Sequence, residues 1–187
     1  GYHWWHDWYL ASNLKNKKIF FYYLKNNVKT TGVNKTLKDS IFLFKYNDLE
    51  RLEFLLKNKN VGIIKMEVER NIKPENNFLK KVKKLSVKYK AILIFDEITS
   101  GFKDNYGGIH LKFKVSPDIA IFGKSIGNGY PISAIIGKKN VMQVAQDTFI
   151  SSTMWTDRLG FIAANSTLKK LKKLNINKKI TENDIKN

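Results

Sequence analysis

The sequence predicts an α/β fold built on a mostly parallel sheet. Three observations carry that reading. Strand-like and helix-like segments alternate from residue 41 onward, and strand–helix–strand units at this spacing build parallel sheets. The run 91-AILIF-95 is apolar without alternation, the pattern of a strand covered on both faces. Stretches such as 48-DLERLEFLLKN-58 place apolar residues at helical spacing, as expected of helices packed on such a sheet.

Taken in order, residues 1–12 are rich in aromatics (1-GYHWWHDWYL-10) and read as an aromatic packing cluster. The polar segment 13–40, with Asn, Lys and Thr around 19-IFFYYL-24, reads as a loop excursion. A buried strand is expected at 41-IFLF-44, then a helix over 48–58 with Asp48 at its start. A strand at 61-VGIIKME-67 follows, then a helix from Pro74 to Tyr89 with Leu79, Val82, Leu85 and, less regularly, Val87 on its apolar side. The strand 91–95 ends in Asp96-Glu97. Further strands are expected at 119-IAIF-122 and 132-ISAIIG-137, and helices at 138–146 and 158–172. No internal repeat and no Gly/Ser/Pro-rich linker divides the chain. Its 187 residues fit one domain or part of a larger one.

Composition removes several classes of function. With no cysteine, disulfides, zinc–thiolate sites and thiol catalysis are excluded. No apolar run approaches the ~18 residues of a membrane span, and the first residues carry no basic-then-apolar signal pattern. A cytoplasmic location is the default. The formal charge of +18 invites a nucleic-acid reading. Arg51, Arg70 and Arg158 are the only arginines, so the charge is almost entirely lysine. Arginine is the residue preferred for bidentate phosphate and base contacts. A solvated lysine surface is the better account, with no nucleic-acid partner expected.

In open α/β sheets ligands bind beyond the carboxyl ends of the strands. Asp96, Glu97 and Lys124 all fall there. Lys124 stands in 122-FGKSIGNGYP-131, whose Gly-Lys-Ser resembles the end of a P-loop; that motif needs a glycine at position 118, which is Asp. The glycines follow the lysine instead, as where a bulky group lies against the backbone. Asp96 reads either as an ordinary strand-end carboxylate or as a buried one held for a cationic partner. His3, His6 and Asp7 lack a distant fourth ligand, so no metal is expected. In 149-FISSTMWTDR-158, Thr156 or Asp157 could cap the next helix, and Ser151, Ser152 and Thr153 could instead donate to a phosphate.

In this order, Gly1-Tyr2-His3, 95-FDEITSGF-102, 122-FGKSIGNGYP-131 and 151-SST-153 resemble the class III aminotransferases, pyridoxal-phosphate enzymes of fold type I. Within them the chain looks most like the glutamate-1-semialdehyde aminomutase branch. The resemblance runs from residue 1 to about residue 172, and its most specific part is the pair of motifs that sets Asp96 and Lys124 28 positions apart. It implies a partial three-layer large domain, with residues 1–187 its central part and an N-terminal segment and a C-terminal small domain lying outside the chain.

By the same resemblance Lys124 would form the internal aldimine with pyridoxal 5′-phosphate and then shuttle a proton. That chemistry needs an amine whose pKa is lowered by desolvation and a nearby cationic ring. Asp96 would keep the pyridinium nitrogen protonated. Ile98 would pack against one ring face, Tyr2 would stack on the other, and Thr153 would reach the phosphate of the partner subunit's cofactor, which implies a homodimer. The reaction implied is amino-group transfer, as a transaminase or an aminomutase, on small-molecule amino donors and acceptors. Two positions depart from the family pattern, Trp4 in place of a Gly and Val68 in place of a Pro. Trp4, together with the segments expected outside the chain, keeps open a second class, an incomplete relative acting as an interaction module.

Overall fold

The structure, a computed structural model, describes residues 7–12, 14, 30–69, 71–151 and 157–174. The chain divides into two compact units, residues 1–55 and 56–187.

In the first unit a short helix α1 (Asp7–Ala11) packs near a 3-10 turn at Lys35–Leu37. Asn34 caps that turn, its side-chain oxygen accepting from the Thr36 N–H at 3.0 Å. The other described residues of the expected 13–40 excursion form turns and extended chain. Residues 41–44 form no strand; they are half-buried chain without regular secondary structure. An apolar run predicts burial, and burial alone does not make a strand. Helix α2 (Leu49–Asn58) starts where expected, because the Asp48 carboxylate accepts from the Arg51 N–H at 2.9 Å. Its apolar spacing buries Leu52, Leu55 and Leu56.

The second unit is built on four strands: β1 (Ile63–Glu67), β2 (Ile92–Asp96), β3 (Ile119–Phe122) and β4 (Ala134–Gly137), in that spatial order. β1, β2 and β3 run parallel, and β4 is antiparallel to β3. The reversal follows from chain length. Residues 123–133 are too few to carry a crossover helix, which a parallel return requires. Register places Ile64, Met66, Leu93, Phe95, Ala120 and Phe122 on one sheet face, all buried. Helix α3 (Phe78–Lys88) packs on β2, and Leu168 of helix α5 (Arg158–Leu174) packs against the cluster of Ala120, Phe122 and Ile126. Each large side chain buried here contributes about 2–3 kcal/mol. On the opposite face Ile92, Ile94, Ile119 and Ile121 are half-buried. This is a mostly parallel α/β sheet with helices packed on it.

Three helix expectations need correction. α3 begins at Phe78 and not at Pro74, because Asn76 and Asn77 both adopt positive φ (47° and 60°), a left-handed conformation that cannot continue into a helix. Its buried stripe is Phe78, Leu79, Val82 and Ser86, whereas Val87 is exposed. The helix expected over 138–146 is a single turn, α4 (Lys139–Met142), followed by 3-10 turns over Gln143–Asp147.

The amino ends of β2 and β3 are tied by Asp118. Its Oδ2 accepts from the Leu93 N–H at 2.8 Å, and its carboxylate meets Lys83 Nζ at 3.0 Å and Lys138 Nζ at 2.7 Å. Burial alone would raise the Asp118 pKa; the bonds from Lys138, the Leu93 N–H and Lys83 outweigh it and bring the value from 3.8 to about 2. A depressed carboxylate pKa means stability present above the unfolded value and lost as pH falls through the folded one. Asp118→Asn should therefore lower stability near neutral pH. The deficit should shrink across the window from 3.8 to about 2. Urea unfolding of the parent and variant across that range checks it, and a deficit that stays constant to the acid end would contradict the assignment.

Candidate active site

The carboxyl ends of β2 and β3 bring two of the sequence motifs side by side. Asp96 closes β2, and its backbone registers with Ile121 of β3. Its side chain is buried, and Oδ1 accepts from the Ile98 N–H at 3.2 Å, a turn that fixes the carboxylate against its own loop. Oδ2 lies 3.4 Å from Lys65 Nζ.

Two residues beyond the end of β3, Lys124 adopts φ 44°, in the left-handed region. A residue with a Cβ pays about 1–2 kcal/mol there, and such outliers cluster at functional sites. The Lys124 side chain is exposed, and its Nζ donates to Thr99 Oγ1 at 2.9 Å. Ile98 packs over Gly123, whose missing Cβ would sit 3.5 Å from the Ile98 side chain. One loop after β2 therefore supplies a fixed carboxylate, an apolar wall and a hydroxyl, and the loop after β3 supplies an amine. The expected desolvation of Lys124 is not provided by the described residues around it.

The loop after Lys124 is shaped mainly by its own chain. A Cβ on Gly127 would strike the Tyr130 carbonyl and lie 2.9 Å from Ile132, so this glycine is required by the turn folding back on itself. Tyr130 then reaches α5: its hydroxyl donates to Asp157 Oδ2 at 2.5 Å. Asp157 Oδ1 accepts from the Leu159 N–H at 2.9 Å, the helix cap that the sequence suggested for this residue. The tyrosine's pKa is raised because its hydroxyl donates to the Asp157 carboxylate.

Next to Asp96, Glu97 is fully buried and holds the loop 100–110 in place. Its Oε2 accepts from Ser100 Oγ at 2.6 Å and the Ile109 N–H at 3.1 Å. Its Oε1 accepts from the His110 N–H at 3.0 Å and meets His110 Nδ1 at 2.7 Å. Sequence reasoning placed Glu97 at the strand end but missed this cluster. The signal available was a second carboxylate beside Asp96 with a histidine 13 residues on. It also missed Lys65, a charge on the face of a strand otherwise rich in isoleucine, and Thr99.

Of the residues the sequence singled out, Asp96, Ile98 and Lys124 are brought together. Tyr2, Thr153, Trp4, His3 and His6 lie outside the described residues. Among the described residues no group of three or more His, Cys, Asp or Glu could hold a metal, and no helix is long and apolar enough to cross a membrane.

The profile of the family "Aminotransferase class-III" matches residues 33–185. A 3-aminobutyryl-CoA aminotransferase of Cloacimonas acidaminovorans is 37% identical over 185 residues, covering 92% of this chain and 40% of that enzyme. A glutamate-1-semialdehyde 2,1-aminomutase of Sulfolobus acidocaldarius is 34% identical over 152 residues, covering 78% of this chain and 36% of that one. Among solved structures, the ornithine δ-aminotransferase of Plasmodium falciparum superposes with a TM-score of 0.65 at 29% identity, over 70% of this chain and 36% of its own. The FumI protein of Sphingopyxis sp. MTA144 reaches a TM-score of 0.70 at 22% identity over 79% of this chain, a likeness of fold alone. This chain thus spans well under half the length of the relatives it matches. Those matches, on a sheet whose strand ends pair a buried aspartate with a left-handed lysine, place the chain in the class-III aminotransferase family.

Proposed function

We propose that this chain carries the lysine–carboxylate half of a pyridoxal 5′-phosphate site and that the protein moves amino groups between small molecules, or within one as an aminomutase does. The observation that carries the reading is the placement of Asp96 and Lys124 on the carboxyl ends of neighbouring parallel strands. The residues present fit the cofactor. A buried carboxylate with one oxygen already anchored suits a cationic ring nitrogen, and an exposed amine beside it suits an aldehyde.

When bound, pyridoxal phosphate supplies an aldehyde carbon for attachment and a protonated ring that withdraws electrons from the substrate carbon. Asp96 does the electrostatic work: its carboxylate, desolvated and fixed by the Ile98 N–H, holds a proton on the ring nitrogen more firmly than water would. Lys124 Nζ is the nucleophile and afterwards the proton carrier at the reacting carbon, positioned by Thr99 Oγ1. Ile98 provides an apolar wall that excludes water from one side. Tyr2 and Thr153 take the stacking and phosphate-binding roles in this reading, Thr153 from the partner subunit of a homodimer, and the enzyme works in the cytoplasm.

Adding pyridoxal phosphate to the full-length protein, fixing the adduct with borohydride and mapping the labelled peptide tests the assignment. The label should sit on Lys124. A label spread over the surface lysines, or unchanged in Lys124→Ala, would refute it.

A further inference from the structure

The ion pair between Lys65 and Asp96 has no place in the chemistry above. Lys65 stands on β1, on the sheet face it shares with Ile63, Ile92, Ile94 and Asp96. Ile63, Ile92 and Ile94 are its apolar neighbours on that face, and Glu67, registered with Asp96, is the other charged residue there. The side chain runs toward the carboxyl end of the sheet, where Nζ lies 3.4 Å from Asp96 Oδ2. Oδ1 of the same carboxylate is engaged by the Ile98 N–H. Lys65 therefore meets the carboxylate oxygen other than the one engaged by the Ile98 N–H, and a ring nitrogen bonded to that oxygen would compete with it.

Exposure separates the two partners. The Asp96 side chain is 8% exposed and that of Lys65 is 43% exposed. The carboxylate cannot move away from its loop, but the lysine can withdraw into solvent. The geometry points to Lys65 as a competing cation that occupies the cofactor-facing oxygen of Asp96 and weakens the protein's hold on pyridoxal phosphate. This rests on the pyridoxal-phosphate reading of the site. Binding a cationic ring at Asp96 requires first breaking an ion pair that is half-desolvated, so affinity falls by the strength of that pair. A pair with one buried and one exposed partner weakens binding by about fivefold. The lysine thus sets how readily the protein exchanges its cofactor with the free pool, without taking part in the transfer reaction.

The test is a pyridoxal-phosphate titration of the cofactor-stripped full-length protein. Lys65→Met keeps the length of the side chain and removes its charge; it should lower the dissociation constant about fivefold. Lys65→Arg keeps a cation within reach and should bind no tighter than the parent. In an Asp96→Asn background, Lys65→Met should change the constant by less than about twofold, because the charge it competes for is gone. The melting temperatures of the cofactor-free variants report whether each is folded, and Lys65→Gln takes the place of Lys65→Met if the latter is not. An unchanged or weaker affinity in the neutral variants overturns the inference, as does equal tightening in the Asp96→Asn background. A parent protein that acquires no borohydride-fixed label on Lys124 overturns the reading of the site and the inference with it. A labelled parent with unresponsive Lys65 variants overturns the inference alone.

Discussion

Lys124→Ala should lower the rate of amino-group transfer by about 10⁴-fold or more, the loss expected when one side chain serves as both nucleophile and proton carrier. The chain contains no described amine that could stand in at the same atom position without rebuilding the loop. Lys124 is placed by its backbone, a 3-10 turn entered through extended Gly123, and by the Thr99 hydroxyl that receives its Nζ. The alanine variant should fold like the parent, since both residues carry a Cβ at the same positive φ of 44°. Lys124→Gly adds a discriminating arm. It relieves the left-handed strain, so it should be about 1 kcal/mol more stable than Lys124→Ala while equally inactive. Single-turnover rates and urea unfolding of the full-length variants measure both quantities. Activity within tenfold of the parent in Lys124→Ala would remove the lysine from the mechanism.

Much of this arrangement could be read from residue order, and the rest could not for physical reasons. The strands at 92–96 and 119–122 begin as apolar runs that burial reveals, and the strand at 63–67 shows as an isoleucine-rich segment with buried and exposed residues alternating. Asp96 and Lys124 could be placed together because both follow such runs, and ligand sites in open sheets lie at those ends. Residues 41–44 misled because apolar content predicts burial, which they partly show, but does not by itself specify a strand. The start of α3 was missed because an asparagine's left-handed backbone leaves no mark in hydrophobic periodicity. Lys65 was illegible for a third reason. Its meaning depends on the register Lys65↔Ile94 and Glu67↔Asp96, which makes Asp96 its diagonal neighbour. The glycines after Lys124 read as leaving room for a bulky group against the backbone, yet a Cβ at Gly129, with φ 104°, would meet nothing within 4 Å. At Gly127, however, the approaching group is the loop's own Tyr130 carbonyl.

The buried glutamate beside the site carries the second large effect. Glu97→Ala should destabilise the full-length protein by about 3–5 kcal/mol. Its carboxylate has no exposed surface and takes donors from Ser100, Ile109 and both the main chain and ring of His110. Removing it leaves those donors facing one another in a space that water does not reach. Glu97→Gln is the sharper variant. It preserves volume, but its amide NH₂ must face at least one group that already donates, so it too should cost about 2 kcal/mol. Burial pushes the Glu97 pKa up. The His110 ring, Ser100 and the two main-chain N–H groups together outweigh that push, so the net shift is downward. The stability this carboxylate contributes is therefore present above the ordinary glutamate range and lost as pH falls below it. Because Asp96 and Ile98 flank Glu97 in sequence, loosening this anchor should also free the turn that fixes the Asp96 carboxylate. Denaturant unfolding gives the stability change, and a loss under 1 kcal/mol in both variants would show that the loop is held by other contacts. Pyridoxal-phosphate affinity, measured under conditions where the variants remain folded, should fall with it if the turn at Asp96 depends on this anchor.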